Sequence, residues 1–163
     1  MSRWLPSRST RRLAGQHPAS PFTRRLRFRP VLLELEGRVM PATLTVTNLS
    51  DHNAGSLRAE LGLAQNGDTI VFANGLSGTI ILTSGKLELH SSIAVQGPGA
   101  AQIRVSGNNA SQVFWLFGGS SASISGLAIV SGRATSAWGG GVRVDIGGML
   151  TLRVCSINRV FVI

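Results

Sequence analysis

The sequence has little of the chemistry on which many folds and enzymes depend. It contains no tyrosine and one cysteine, Cys155, which excludes an internal disulfide and a zinc site made of several thiolates. No run of 18 apolar residues occurs, so no transmembrane helix is predicted. Residues 41–163 include a single lysine, Lys86. Glycine, serine, threonine and the aliphatic residues dominate instead, a composition typical of short β-strands joined by turns.

The positive charge is concentrated at the N-terminus. Residues 1–40 contain nine arginines against two glutamates, an excess of +7 within a total of +9, whereas residues 41–163 carry seven basic and five acidic side chains. Residues 1–30 show no strand or helix period, and we expect residues 1–40 to form a disordered, Arg-rich targeting segment. The alternative is that this tail binds nucleic acid or another anionic surface; sequence-specific binding of nucleic acid is not expected.

Residues 41–76 are predicted to form an N-terminal cap of strand, helix and strand. The stretch "TLTVTN" alternates apolar and polar residues, as a strand with one buried face does. Ser56 is the predicted N-cap of a helix, and Leu57 and Leu61 lie on its apolar face. The stretch "DTIVFA", which begins at Asp68, is typical of a strand covered on both faces.

Charged residues around this helix predict a structural contact. We expect Arg58 to pair with Asp68 or Glu60 and so to fix the cap to the first coil. The neighbouring Asp51 and His52 come with no nucleophile or orienting group, and they are predicted to lie in a solvated loop before the helix.

Residues 77–163 form an irregular repeat of short apolar segments with glycine, serine or asparagine at the corners. An offset of 28 aligns Ile124 with Leu152, while offsets of 35 and 34 align Leu89 with Ile124 and Val95 with Ile129. Short strands without intervening helices predict an all-β fold, a parallel β-helix whose two or three coils stack their inward side chains. A β-sandwich is the alternative, but hairpin signals are sparse.

Two motifs resemble the start of large right-handed parallel β-helix proteins abundant in planctomycetes. The first is an L-E-x-R-x-x-P segment associated with export, formed here by Leu35, Glu36, Arg38 and Pro41. The second, "GSLRAEL" followed by "DTIVF", is similar to the S-L-R-E-A-type opening module of surface repeat proteins. The later phrases "ISGLAIVSG" and "LTLRVCSI" also resemble the coils of that family.

The resemblance implies a structural or adhesive protein, secreted or on the bacterial cell surface, without catalysis. It implies further coils after Ile157, so the chain is expected to be a fragment of a larger repeat protein, with 77–163 forming incomplete coils. Extracellular polysaccharide or other cell-surface proteins are the expected partners. An open last coil also predicts self-association through unpaired strand edges.

The sequence offers few candidates for catalytic or binding side chains. Glycoside hydrolysis requires two flanking carboxyl groups, and no two carboxylates fall at equivalent coil positions, so no catalytic residue, metal or cofactor is expected. Trp115, in the stretch "VFWLF", is the expected ligand contact if the protein is instead a non-catalytic polysaccharide-binding β-helix related in fold to pectate-lyase-like enzymes. Cys155 is predicted to be buried, and Asn108 and Asn109 suit left-handed turns.

Overall fold

The computed structural model describes residues 40–134 and 139–158 and the backbone of 161–162. The predicted disorder of the N-terminal segment and the residues Leu35, Glu36 and Arg38 of the export-associated motif lie outside these ranges. Pro41, the last residue of that motif, is exposed just before the first strand. No helix among the described residues is long and apolar enough to cross a membrane.

The described residues form one helix and fourteen short strands. The helix is α1 (Leu57–Leu63). The strands are β1 (Thr43–Val46), β2 (Thr69–Phe72), β3 (Gly78–Ile81), β4 (Leu87–Leu89), β5 (Ile93–Gln96), β6 (Ile103–Ser106), β7 (Phe114–Leu116), β8 (Ser121–Ser125), β9 (Ala128–Val130), β10 (Arg133–Ala134), β11 (Val142–Val144), β12 (Met149–Arg153), β13 (Ser156–Asn158) and β14 (Phe161–Val162).

All the strands pair in parallel and build a β-solenoid of about four turns, which confirms the predicted all-β fold. The first sheet has the order β1-β2-β5-β8-β12, the second β3-β6-β9-β13 and the third β4-β7-β11, and β10 pairs with β14. One turn of the chain passes through the first, second and third sheets in succession. A β-sandwich, with its antiparallel hairpins, is not what the chain forms.

The core is a set of stacks in which each coil places an aliphatic side chain over the one before it. In the first sheet, paired registers align Leu44, Ile70, Val95, Ile124 and Leu152. The three middle members are fully buried, because each has a neighbour above and below. No coil buries its apolar side alone, so the stacking itself supplies the hydrophobic stabilisation.

The predicted register is correct for the last coils and wrong for the earlier ones. Ile124 aligns with Leu152, as the offset of 28 predicts. Leu89, however, aligns with Leu116, and Val95 aligns with Ile124 rather than with Ile129. The error arises because turn lengths vary between coils, so that a fixed offset connects strands of different sheets. The predicted number of two or three coils was also too low. The solenoid has about four turns, because β1 and β2 already belong to its first sheet.

The N-terminal cap follows the prediction in its elements. Ser56 is the N-cap of α1, and its side-chain oxygen accepts a hydrogen bond from the backbone N–H of Ala59. Leu57 and Leu61 are buried against the solenoid. Because α1 contacts β1 and β4, it covers the interior at the start of the stack.

The last described coil leaves its inward positions open. Val144, Leu152 and Ile157 are 39%, 36% and 49% exposed, whereas their partners one coil earlier, among them Ile124 and Ile129, are fully buried. Cys155, predicted to be buried, is only half-buried because it belongs to this coil. Among the described strands, β12 pairs with β8 alone. Self-association through this edge stays a prediction.

Glycine is required where two turns of neighbouring coils touch. Gly126 has a φ of 64°, and a Cβ at this position would clash with the backbone oxygen of Gly97. Gly119 has a φ of 82° but open space around the corresponding Cβ. The two glycines therefore share the left-handed conformation and differ in packing.

We expect Gly126→Ala to lower the free energy of unfolding by at least about 1 kcal/mol more than Gly119→Ala. Both variants carry the cost of a left-handed alanine, roughly 1–2 kcal/mol, but only the first also pushes two coils apart. Urea denaturation of the two variants measures the difference. Equal losses would show that the coils separate without cost at this corner.

Candidate functional site

Arg58 connects the helix to the next coil through a set of contacts that the sequence did not indicate. Its Nη2 lies 2.7 Å from Oδ1 of Asp51, and its Nε donates to the same oxygen at 3.0 Å. The guanidinium also donates to the backbone oxygens of Gly85 and Lys86, at 2.6 and 2.7 Å. The predicted attachment of the helix to a coil is present, but the predicted partners of Arg58 were wrong.

Asp51 lies at the centre of this contact, because both of its carboxylate oxygens accept hydrogen bonds. Oδ2 accepts hydrogen bonds from the backbone N–H groups of Thr83 and Ser84 and from the hydroxyl of Thr83. Burial acts to raise the pKa of Asp51, but the hydrogen bonds from Arg58, Thr83 and Ser84 outweigh it and hold the pKa well below its usual range. The predicted solvated loop is therefore wrong for Asp51, which is 7% exposed, and right for the exposed His52.

Asp68 has a separate structural role at the start of β2. Its carboxylate accepts hydrogen bonds from the backbone N–H groups of Gln65 and Ala42, at 2.8 and 2.7 Å. These bonds, first that from Gln65, lower the pKa of Asp68 despite its burial. Asp68 thus ties the end of the helical turn to the entry of β1, and it contributes to the cap without contacting Arg58.

Three aromatic rings stack on the outward face of the third sheet. The ring of Trp115 lies 4.3 Å from that of Phe117, which lies 4.1 Å from the ring of His90. Two cations flank Trp115: the ammonium of Lys86 is 3.8 Å from the ring centre and the guanidinium carbon of Arg143 is 4.7 Å away. We call this set the aromatic ladder.

The aromatic ladder changes how Trp115 can contribute to binding. Phe114 and Leu116, on one side of "VFWLF", are fully buried, whereas on the other side Trp115 is partly exposed and Val113 is fully buried. The ring is nevertheless packed against Phe117, Lys86 and Arg143. Trp115 is therefore placed to hold two cationic side chains. Its direct contact with a ligand stays a prediction.

A groove of about 760 Å³ lies beside this ladder, between the end of α1 and the turns that lead into the third sheet. Its lining crosses several coils, from Gly62 at the helix through Ser84–Glu88 and Ala110–Gln112 to Arg133. The charged side chains that line it are Arg58, Lys86, Arg133, Arg143 and Glu88. The volume is within the range typical of ligand-binding clefts.

Two further carboxylates, those of Glu88 and Asp145, are held in ion pairs. Glu88 points outward between the buried Leu87 and Leu89, and its carboxylate lies 3.8 Å from Lys86 and 3.2 Å from His90. Asp145 accepts a hydrogen bond of 2.9 Å from Arg143. Across the described ranges, no three His, Cys, Asp or Glu side chains come close enough to hold a metal ion.

Comparisons with known proteins give no further information about this site. No family model, curated protein or solved structure matches the chain. Function is therefore inferred from the solenoid and the groove.

The sequence alone missed most of the groove. Glu88 and Arg143, which line the groove, and Trp115 of the aromatic ladder occupy the same outward position on β4, β11 and β7. Offsets of 27 and 28 align these three residues, but an alignment of aliphatic positions alone does not contain this signal. Arg133 gives no comparable signal, because it lies in β10, which has no counterpart in the earlier coils.

Proposed function

We propose that this chain is a structural and adhesive β-solenoid that acts at the bacterial cell surface or in the extracellular space, without catalysis. The observation that carries the proposal is the stack of about four parallel turns, a shape that presents an extended regular surface. The resemblance of the N-terminal motifs to planctomycete surface proteins supports the location. The absence of catalysis is supported by Asp51 and Asp68, because both carboxylates accept hydrogen bonds from the protein's own Arg58 or backbone N–H groups, which leaves neither of them free to act on a substrate.

The location is tested by treating intact producing cells with protease and detecting the chain with antibody. Loss of the signal from intact cells, or its recovery from the medium, is the expected result. A chain protected until the cells are lysed would contradict the proposed location. Incubation with a panel of polysaccharides tests the proposed absence of catalysis. The release of shortened or unsaturated products would show that the protein is an enzyme.

A second candidate is a non-catalytic polysaccharide-binding protein, and the groove beside the aromatic ladder favours it. Polar and charged side chains from successive coils line the groove, and the aromatic ladder lies beside it, so successive coils can contact successive units of a polymer. Co-sedimentation of the full chain with insoluble and soluble polysaccharides tests this candidate. If no polymer retains the chain, polysaccharide binding is wrong, while the structural proposal remains.

A further inference from the structure

Two Asn-Gly pairs occur in the chain, Asn66–Gly67 and Asn74–Gly75. Both lie in exposed turns, one before β2 and one after it. The side-chain amide of an asparagine is open to attack by the backbone nitrogen of the next residue, and glycine has no side chain to obstruct that approach. The two pairs therefore offer the same chemistry, and their surroundings decide which of them reacts.

The two turns have the same backbone form. The N–H of Asp68 donates to the carbonyl oxygen of Gln65 at 3.1 Å, and the N–H of Leu76 donates to that of Ala73 at the same distance. Each turn encloses its Asn-Gly pair between the two bonded residues. The two glycines have φ angles of 94° and 78°, the left-handed conformation that glycine adopts without strain. The local backbone therefore does not distinguish the two pairs.

Ser92, which directly precedes β5 in the next coil, holds both reactive groups of the first pair. Its backbone N–H donates to Oδ1 of Asn66 at 2.8 Å, and its carbonyl oxygen accepts from the N–H of Gly67 at 2.7 Å. Ring closure requires the side chain of Asn66 to turn Cγ towards the nitrogen of Gly67, and it requires this nitrogen to give up its proton. Both hydrogen bonds must break before that happens, so the fold protects this pair.

The second pair lacks this protection. Across the part of the chain that the structure describes, no hydrogen bond holds the side chain of Asn74 or the N–H of Gly75. A Cβ placed on Gly75 would meet nothing within 4 Å, so the space around this turn is open. The side chain of Asn74 can therefore approach the nitrogen of Gly75 without breaking a contact.

From this contrast we infer that Asn74 is a site of spontaneous modification, at which the side-chain amide becomes a carboxylate with water as the co-reactant. The nitrogen of Gly75 loses its proton to the solvent and bonds to Cγ of Asn74. The Cγ–Nδ2 bond breaks, and the amide nitrogen takes a proton from the solvent and leaves as ammonia. Water then opens the cyclic imide at either of its carbonyl carbons and gives aspartate or isoaspartate. The net reaction exchanges ammonia for water, and nothing is oxidised or reduced.

The modification changes the corner at which β2 leads towards β3. Isoaspartate adds a carbon atom to the main chain between Ala73 and Leu76, so the hydrogen bond that closes the turn no longer fits. Leu76 packs against the hydrophobic core, and a displaced turn loosens that contact. Both products also place a negative charge at this exposed corner. The reaction needs no enzyme and no partner, and it is independent of the proposed function.

The test follows both asparagines in the folded full chain during incubation in mildly alkaline buffer. Chymotrypsin cleaves after Phe72 and so places the two pairs in different peptides. Mass spectrometry measures the conversion of amide to acid in each peptide, and a sample digested without incubation corrects for reaction during digestion. We expect Asn74 to react at least about tenfold faster than Asn66, because ring closure at Asn66 breaks two hydrogen bonds.

A parallel incubation in concentrated urea is the control for the role of the fold. The unfolded chain has no neighbouring coil to hold Asn66, so the two asparagines are expected to react at similar rates. Equal rates in the folded chain would overturn the inference, because Ser92 would then give no protection. A folded chain in which Asn74 stays intact while the unfolded chain reacts would also overturn it, because the turn itself would then prevent ring closure.

Two substitutions assign the reaction in the intact chain. Glutamine has one more methylene than asparagine, which makes ring closure onto the next nitrogen much slower. The gain in mass of the folded chain is expected to be largely lost in Asn74→Gln and to remain in Asn66→Gln. The opposite result would overturn the assignment to Asn74. Both positions are exposed, and thermal melting confirms that each variant is folded.

Discussion

Asp51→Asn is expected to lower the free energy of unfolding by about 3 kcal/mol, because it removes the buried carboxylate of an ion pair and leaves the partly buried guanidinium of Arg58 without its counter-ion. The carboxylate is 4% exposed and accepts five hydrogen bonds, from Arg58, Thr83 and Ser84. An asparagine removes the charge that compensates Arg58. It also turns an N–H₂ donor toward groups that are themselves donors, which leaves polar groups unsatisfied.

The matched control is Glu60→Gln, the same loss of a negative charge, on α1. Glu60 is partly exposed and forms no ion pair with the described residues. We expect this variant to lose no more than about 0.5 kcal/mol, through its favourable position in the first turn of the helix. Urea denaturation followed by circular dichroism measures both. Comparable losses of unfolding free energy in the two variants would mean that Asp51 stabilises the fold only through its effect on net charge.

The same carboxylate predicts how stability depends on pH. The folded pKa of Asp51 lies below that of the unfolded chain, which is about 3.9. The unfolded chain therefore binds the proton more readily, and the stabilisation is complete above about pH 5 and is lost as the pH falls toward the folded pKa. The parent protein is expected to lose stability steeply over this range. Asp51→Asn is expected to show a flatter profile, with the remaining slope due in part to Asp68. If the stability of both proteins fell equally with pH, the acid sensitivity could not be assigned to Asp51.

The architecture could be predicted from the sequence because it depends on local patterns. Leu87 and Leu89 are buried and Glu88 is exposed, as alternation in a strand requires. Asn108 and Asn109 were expected in left-handed turns, and their φ angles of 55° and 54° confirm it. Ser56 caps the helix as its position before an apolar face indicates. Each of these features is fixed by the residue and its immediate neighbours.

Contacts between distant residues could not be predicted in the same way. Asp51 is separated from Thr83 and Ser84 by more than 30 positions, and the coil register that brings them together varies from turn to turn. The sequence near Arg58 offered Glu60 and Asp68 as partners, and both were wrong. Arg133 enters the groove through β10, which breaks the pattern of the earlier coils. Because the length of the repeat varies, the positions that lie on one surface cannot be found from a fixed spacing in the sequence.

Ile124→Ala is expected to cost about 3 kcal/mol, within the range of 2–5 kcal/mol for deleting a buried aliphatic side chain. Ile124 is fully buried, with Val95 on one side and Leu152 on the other, so the cavity cannot be filled by solvent or by a simple shift of one coil. Urea denaturation of the variant measures the loss. A loss below about 1 kcal/mol would show that the stack does not hold neighbouring coils together.

Leu152→Ala is the matched control, since it shortens the next side chain of the same stack. Leu152 is 36% exposed, and the loss is expected to be about 1 kcal/mol, less than half of that at Ile124. Its magnitude also tests the predicted self-association. If a second copy covers the last described coil in solution, Leu152→Ala becomes as costly as Ile124→Ala at high protein concentration, and its cost falls on dilution while that of Ile124→Ala does not. A cost for Leu152→Ala that is small at every concentration would mean that no second copy covers this end.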